Sequence, residues 1–139
     1  MQEYDVIIVG ASAAACHLAK KLQGLEVLIL ERSKETKKDS GIVSKRIFSL
    51  VPKVKRFVTE KIGEMQFVSP GGRILTLSSE EPFAFRLHRD NFSQFLKRQV
   101  RRKIKYETVT KINFNDKVEI TTNKNFYRCR LLVGCDGAL

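Results

Sequence analysis

The first thirty-one residues constrain the fold most, because they read as a complete strand–helix–strand unit. Residues 4–9 form an apolar run rich in β-branched side chains, which is typical of a buried strand. The run ends at Gly10, and a stretch of small residues then leads into a helix-prone segment, residues 16–22. A second apolar strand, residues 26–30, ends next to Glu31. We therefore predict a βαβ unit of the kind that binds nucleotides.

The turn between the first strand and the helix has the residue types that a bound pyrophosphate needs. The usual pattern G-x-G-x-x-G is represented by Gly10, Ser12 and Ala15. A glycine permits the tight turn, a small side chain lets backbone N–H groups approach the phosphates, and the helix N-terminus adds a positive dipole. We expect the pyrophosphate of an ADP-containing cofactor on this turn. The residues concerned are Gly10, Ser12, Ala13, Ala14 and Ala15.

Glu31 occupies the position of an acid that binds ribose. It lies at the carboxyl end of the second strand, about twenty residues after Gly10, where an acid accepts hydrogen bonds from the adenosine ribose. The alternative is an ordinary buried βαβ unit whose turn happens to be made of small residues. The strand, the helix and the acid together favour cofactor binding.

The charge balance favours an anionic partner. The net charge is +11, from 26 Lys plus Arg against 15 Asp plus Glu. Such a partner is a nucleic acid, a phosphate-rich cofactor or an anionic membrane surface. Because basic and aromatic residues are not interleaved, we expect no specific nucleic acid. The commoner interpretation is a basic face exposed to solvent, and the more specific one is docking at a membrane surface.

Cysteine and histidine usage argues against disulfides and metals. Cys16, Cys129 and Cys135 lack C-x-x-C spacing, so we expect reduced thiols in a cytoplasmic protein. His17 and His88 lack paired-ligand spacing, so no metal site is expected. No apolar run approaches the roughly 18 residues of a membrane span, and no signal peptide is recognisable.

The middle of the chain alternates between loops and short elements. Residues 32–44 read as a polar loop, and residues 45–51 as a short helix that stops at Pro52. Residues 64–69 and 73–78 flank a Pro-Gly-Gly turn, which predicts a β-hairpin.

A second long helix is predicted over residues 91–103. Asp90 is a suitable N-cap, and Phe92, Phe95 and Leu96 fall on one face. Residues 83–87, before this helix, read as another extended segment.

The last third of the chain reads as a β-meander, with strands over residues 108–114, 117–122 and 126–130. A further strand, residues 131–134, is wholly apolar, so we expect it beside the first strand in a parallel sheet, with both faces covered. It delivers Asp136 and Gly137 to the carboxyl edge, where such sheets bind cofactors. Because the chain stops there without a further helix, we expect a truncated reading frame or a cut piece.

The expected fold class is α/β. It combines a Rossmann-like βαβ unit and parallel sheet with an inserted β-hairpin and an antiparallel β-meander. We assign residues 1–139 to a single N-terminal domain that is incomplete, since it is truncated before a C-terminal half.

The order of motifs resembles a known family. It runs from the turn at residues 10–15 through Leu-Glu-Arg at 30–32 and His-Arg-Asp-Asn-Phe at 88–92, then Thr-Val at 108–109 and Val-Gly-Cys-Asp-Gly-Ala at 133–138. This order is similar to the N-terminal FAD-binding part of the flavoprotein hydroxylase superfamily. Within that superfamily, the chain most resembles the geranylgeranyl reductase branch, and the resemblance spans nearly all of its length.

The resemblance implies FAD as the cofactor and assigns further residues to it. Arg89 would reach toward the FAD phosphates or ribityl chain, and Val109 would offer backbone groups to the adenine. The loop of this branch implies Ser40 and Gly41 as active-site residues, although the family's loop cysteine is absent. The cofactor-binding residues are then Gly10, Ser12, Ala13, Ala14, Ala15, Glu31, Arg32, Arg89, Val109, Asp136 and Gly137. No catalytic residue is assigned.

Several of these residues also have a purely structural interpretation. Arg89 with Asp90 would be a surface ion pair, which contributes little. Asp136 with Gly137 would be a simple turn, and His88 a structural residue at the end of a strand.

The resemblance implies a flavin-dependent oxidoreductase that reduces isoprenoid double bonds of lipids. Expected partners are an isoprenoid lipid, an anionic membrane surface at which a cytoplasmic protein docks peripherally, and an NAD(P)H or ferredoxin-type electron donor. Two alternatives stay open: an FAD-dependent monooxygenase of a small substrate, and a non-enzymatic nucleotide-binding module. We expect the 139-residue chain alone to be inactive.

Overall fold

The chain folds into a mixture of strands and short helices. The computed structural model describes residues 2–35 and 41–137. In chain order its elements are β1 (Gln2–Val9), α1 (Ala13–Lys21), β2 (Val27–Glu31), β3 (Ile42–Ser44), α2 (Ile47–Leu50), a 3₁₀ helix (Pro52–Phe57), β4 (Val58–Ile62), β5 (Glu64–Val68), β6 (Ile74–Ser78), β7 (Ala84–Leu87), α3 (Arg89–Gln99), a 3₁₀ helix (Arg101–Lys103), β8 (Ile104–Tyr106), β9 (Val109–Phe114), β10 (Val118–Thr122) and β11 (Phe126–Gly134).

The described chain divides into two units. The first comprises Met1–Thr36 and Ser93–Leu139, and the second comprises Lys37–Phe92. Among the described residues, the first unit contains a six-stranded sheet in the order β8-β2-β1-β11-β10-β9. β1 pairs in parallel with β2 and β11, and β2 pairs in parallel with β8. β10 pairs antiparallel with β11 and β9, so the predicted α/β class with a parallel sheet and an antiparallel meander is confirmed.

The core of the first unit lies on the central strands. β1 and β2 are apolar on both faces, and Ile7, Ile8 and Ile29 are fully buried. Burying one such side chain contributes about 1.5–3 kcal/mol, which favours central positions for these two strands. The buried cluster consists of Ile7, Leu28, Leu30, Ile120, Tyr127 and Cys129.

The final strand is longer than the sequence predicts. Two strands were expected, at residues 126–130 and 131–134, but β11 runs without a break through both ranges. No turn-forming residue separates them, and pairing with β1 runs from Tyr127 to Gly134. The position beside β1 is confirmed. The expected coverage of both faces is wrong for Leu131, which is 55% exposed.

The predicted helix over residues 91–103 is shifted and shortened. α3 begins at Arg89, so Asp90 lies in its first turn rather than capping it. The helix ends at Gln99, and a 3₁₀ helix and β8 follow. The sequence did not predict β8, a strand of only three residues whose side chains are all half-buried.

The second unit contains two small sheets among its described residues. β7 pairs antiparallel with β3 and β4, and β5 pairs antiparallel with β6. The predicted hairpin is confirmed. The prediction of a continuous loop over residues 32–44 is wrong at β3, because an edge strand needs only backbone pairing with β7. Four apolar side chains share one exposed face of the hairpin: Met65, Phe67, Leu75 and Leu77.

In the described part of the chain, no helix has the length and apolar character needed to cross a membrane. The same residues contain no cluster of three or more His, Cys, Asp or Glu side chains that could hold a metal ion.

Candidate functional site

The turn after β1 is tight and depends on Gly10. Its φ is +91°, a backbone conformation that favours glycine. A Cβ atom at this position would lie 2.6 Å from the Cα atom of Asp136. The Gly10 N–H donates to the carbonyl of Leu30 at 2.8 Å, and the Cys135 N–H donates to the carbonyl of Val9 at 2.7 Å. The turn is therefore held between the carboxyl ends of β2 and β11.

Ser12 caps the helix that follows the turn. Its Oγ accepts a hydrogen bond from the Ala15 N–H at 3.3 Å, and its carbonyl accepts from the Cys16 N–H at 3.0 Å. The first N–H groups of a helix have no partner within the helix, and those of Ala13 and Ala14 are of this kind. An anion at this end of α1 is stabilised by these donors and by the helix dipole.

The helix packs closely on the sheet because its inner residues are small. Ala15 and Ala19 are fully buried, and Cys16 is nearly so. Ala15 stands at the third position of the glycine-rich pattern, where close packing of helix on strand is required. A larger side chain there would move the N-terminus of α1 away from the turn.

Glu31 is joined to the turn by its side chain. Its Oε2 accepts a hydrogen bond from the Ala11 N–H at 2.7 Å, and its Oε1 accepts from the Ser33 N–H at 3.2 Å. A carboxylate has about four acceptor positions, so two remain for hydroxyl donors. Glu31 is half-buried, so the residue is not fully enclosed by the chain. Sequence reasoning did not anticipate the contact with Ala11.

The thiols of Cys16 and Cys135 lie next to the glycine turn. Burial raises the pKa of the Cys16 thiol to about 11, with Lys97 opposing the shift and Glu31 adding to it. Burial and the neighbouring Asp136 also raise the pKa of the Cys135 thiol, which a hydrogen bond from Ser12 partly offsets. Both thiols are protonated and uncharged at neutral pH, so they leave the positive potential of the helix N-terminus intact.

Asp136 and Gly137 reach the same edge of the sheet. They follow β11, and the Asp136 backbone contacts Gly10 so closely that no side chain fits between them. Gly137 has a φ of +75°. The structure thus brings together the turn, Glu31 and the Asp136 segment, as the parallel strand order requires. Arg32 is exposed just beyond β2.

Val109 follows a segment that is hydrogen-bonded to the end of β2. The Glu107 N–H donates to the carbonyl of Glu31 at 2.9 Å, and β9 begins two residues later. Val109 itself is half-buried and packs against the core cluster.

Three sequence-predicted residues are not among the described residues of the first unit. Arg89 and Gly41 belong to the second unit, and Ser40 lies outside the described residues. Gly41 has a φ of +65°, and a Cβ atom there would lie 2.9 Å from the carbonyl oxygen of Leu87. This contact with β7, one residue before β3 begins, gives Gly41 a structural role in its own unit.

Glu107 forms a buried network that sequence reasoning missed. Its carboxylate accepts hydrogen bonds from Thr122 Oγ1 at 2.6 Å, Asn125 Nδ2 at 2.8 Å and Tyr127 OH at 2.9 Å. Burial alone would raise the pKa of Glu107, but these hydrogen bonds outweigh burial and lower it from its ordinary value. The network ties the start of the meander to its last turn, beside the Glu31 backbone.

The fold matches solved structures. The p-nitrophenol 4-monooxygenase from Pseudomonas putida is similar over 99% of this chain and 42% of its own, with a TM-score of 0.74 and 17% identity. The anhydrotetracycline hydroxylase from Streptomyces rimosus is similar over 98% of this chain and 32% of its own, with a TM-score of 0.75 and 24% identity. A flavin-dependent brominase is similar over 98% of this chain and 38% of its own, with a TM-score of 0.68 and 18% identity.

These similarities show the fold alone, because all three identities are low. The chain spans between about a third and two fifths of the length of these structures. No model of a known protein family matches the sequence. No curated protein matches it either.

Proposed function

We propose that this chain is the FAD-binding portion of a flavin-dependent oxidoreductase. One observation carries the proposal: the Glu31 carboxylate is hydrogen-bonded to the Ala11 N–H, directly beside a helix N-terminus. A ribose acceptor and a phosphate site are therefore adjacent, as the ADP half of a dinucleotide requires. The flavin-dependent brominase among its structural neighbours supports the choice of flavin.

The residues of the first unit fit the ADP half of FAD. Gly10 leaves the turn compact, the N–H groups of Ala13 and Ala14 would bind the pyrophosphate, and Glu31 would accept the ribose hydroxyls. FAD, when bound, supplies the redox chemistry, and the protein contributes binding and orientation. Ser12 holds the helix end in place through its cap.

Further contacts are proposed on the resemblance in sequence. They are Arg32, Arg89, Val109, Asp136 and Gly137 for the cofactor, and Ser40 and Gly41 for the active-site loop. We also propose that residues 1–139 form an N-terminal domain that further residues complete, since the chain spans less than half of the monooxygenase, the hydroxylase and the brominase described above.

The test is a titration of the ¹⁵N-labelled chain with FAD, followed by amide chemical shifts. We expect the Ala13 and Ala14 amide signals to shift because these N–H groups would bind the pyrophosphate. The Ala11 amide signal should shift as well, because its N–H donates to Glu31, the proposed acceptor of the ribose hydroxyls. ADP should shift the same amides. If ADP binds and FAD does not, the chain is a nucleotide-binding module rather than a flavoprotein part. If neither saturating ADP nor saturating FAD changes the amide shifts of the turn, the proposal is wrong.

The narrower proposal is the reduction of isoprenoid double bonds in lipids, and it rests on the resemblance to geranylgeranyl reductases. An NAD(P)H or ferredoxin-type donor would supply the electrons. The net charge of +11 supports peripheral docking at an anionic membrane, where each Lys or Arg near the surface contributes about 1 kcal/mol.

The second candidate is an FAD-dependent monooxygenase, which the monooxygenase and the hydroxylase among the structural neighbours favour. The two candidates differ in their consumption of oxygen. A monooxygenase consumes molecular oxygen with its small substrate, whereas a reductase saturates a geranylgeranyl chain without it. Oxygen uptake by the complete enzyme, measured with NADPH and each class of substrate, distinguishes them.

A further inference from the structure

A basic cavity lies beside α3 in the first unit, apart from the glycine turn. Its volume is about 230 Å³. Lys97, Arg98 and Arg101 reach it from α3 and the following 3₁₀ helix, and Lys34 reaches it from the segment after β2. Gln94 and Tyr106 complete the polar lining. The cavity therefore gathers four cationic side chains from two separate segments, and none of its lining residues within 2–35 and 41–137 carries a carboxylate.

The four cations lack carboxylate partners, unlike others in the same unit. Arg128 pairs with Glu119, and Arg130 pairs with Asp5. By contrast, none of the four basic side chains of the cavity lies within 4 Å of a carboxylate belonging to residues 2–35 or 41–137. Like charges that line one cavity repel each other, as Lys97, Arg98 and Arg101 do at the end of α3. An anion in the cavity removes that repulsion.

The dipole of α3 explains only part of this arrangement. Lys97 and Arg98 lie in the last turn, where cations are favourable without any ligand. The helix dipole does not explain the position of Lys34, because Lys34 is not part of α3. Its Nζ lies 5.7 Å from the centre of the Tyr106 ring, a cation–π contact that holds the charge at the cavity. Tyr106 is in turn positioned opposite Glu31 by the pairing of β8 with β2.

The size and chemistry of the cavity select a small anion. Pockets for drug-sized ligands are usually about 300–1,000 Å³, so the volume of this cavity is suited to one or two phosphate groups. Guanidinium groups bind phosphate oxygens in pairs, and an ammonium adds a mobile point charge. We propose that the cavity lined by Lys34, Lys97, Arg98 and Arg101 binds the phosphate group of a second ligand. This inference does not depend on FAD binding, because the pyrophosphate of FAD is assigned to the N-terminus of α1.

The test is calorimetric titration of the 139-residue chain with pyrophosphate. The variant is Arg98→Gln with Arg101→Gln, since both side chains are exposed and neither belongs to the core. The matched control is Lys21→Gln with Lys111→Gln, which removes the same charge from exposed sites outside the cavity. We expect the variant to bind pyrophosphate at least about tenfold more weakly than the wild type, and the control to bind it nearly as well.

A second variant and a vesicle assay complete the test. Lys34→Gln, another exposed side chain, should weaken binding even if the double variant does not fold. Flotation with vesicles containing phosphatidic acid, against phosphatidylcholine alone, tells a lipid headgroup from a free phosphate. The proposal is overturned if variant and control bind pyrophosphate with the same affinity, because the ligand then binds outside the cavity, for example at the N-terminus of α1. It is also overturned if the chain binds neither pyrophosphate nor the acidic vesicles. It is equally overturned if the double variant loses FAD affinity in parallel, because the cavity then belongs to the FAD site.

Discussion

The Glu31 carboxylate and the Ala11 backbone N–H are joined by a hydrogen bond of 2.7 Å. Through this contact, the acid that ends β2 is fixed to the turn that ends β1. A ligand that uses both parts meets an arrangement that is already ordered. Preorganisation of this kind lowers the entropic cost of binding.

Removing the Glu31 carboxylate should weaken FAD binding. Glu31→Ala leaves ribose hydroxyls and the Ala11 N–H without an acceptor, which costs about 1–3 kcal/mol. The measurement is FAD affinity by amide shifts or flavin fluorescence. Glu80→Ala, which removes an exposed carboxylate in the second unit, is the control and should leave the affinity unchanged. Equal affinities for wild type and Glu31→Ala would remove Glu31 from the site.

Gly10→Ala should destabilise the first unit. A left-handed conformation costs a non-glycine residue roughly 1–2 kcal/mol, and the new Cβ atom would also collide with the Asp136 backbone at 2.6 Å. Gly24→Ala is a close control, because its φ is +78° and no atom lies within 4 Å of its Cβ position. We expect urea unfolding to show a larger loss of stability for Gly10→Ala. If the two losses are the same, the contact with Asp136 contributes nothing.

Ser12 should tolerate glycine but not valine. Glycine is an acceptable N-cap, so replacing Ser12 by glycine costs only a few tenths of a kcal/mol of stability. Valine supplies neither the cap oxygen nor the backbone freedom of glycine, so its cost is about 1 kcal/mol. A valine side chain would also occupy the approach to the pyrophosphate. We expect Ser12→Gly to retain FAD binding and Ser12→Val to lose it. Unchanged FAD binding by Ser12→Val would mean that the pyrophosphate lies elsewhere.

The Glu107 network should make stability depend on pH. Its hydrogen bonds lower the pKa of Glu107 in the folded chain, so the unfolded chain binds more protons in the acidic range. The resulting stabilisation is present above the unfolded pKa and is lost as pH falls through the folded pKa. Glu107→Gln should flatten the acid limb of a plot of unfolding free energy against pH. Glu80→Gln, an exposed site, should leave that limb as it is.

The apolar face of the hairpin should cause self-association of the 139-residue chain. Phe67 pairs with Leu75 across β5 and β6, and both are more than half exposed. Exposed apolar strands favour association. Phe67→Ser with Leu75→Thr should shift the size-exclusion profile toward the monomer. Gln66→Ser with Thr76→Ser alters the neighbouring cross-strand pair on the opposite face and should have no such effect. A chain that is monomeric at all concentrations would contradict this prediction.

The features that sequence predicted well are those with short-range causes. β1, α1 and β2 follow from local apolar patterns and from Gly10, and the hairpin follows from its Pro-Gly-Gly turn. The position of β11 beside β1 followed from its apolar composition. Ser12 was assigned to the turn, but its role as the helix cap emerged only from the geometry.

The sequence by itself determined the βαβ unit, the fold class and the residue types of the candidate site. Only the tertiary structure decided that Glu31 binds the Ala11 N–H, that Asp136 requires a glycine at position 10, and that Lys34 joins the α3 cations. The physical reason is the range of the interactions. Local periodicity and turn chemistry act within a few residues, whereas these contacts join segments that only strand pairing brings together.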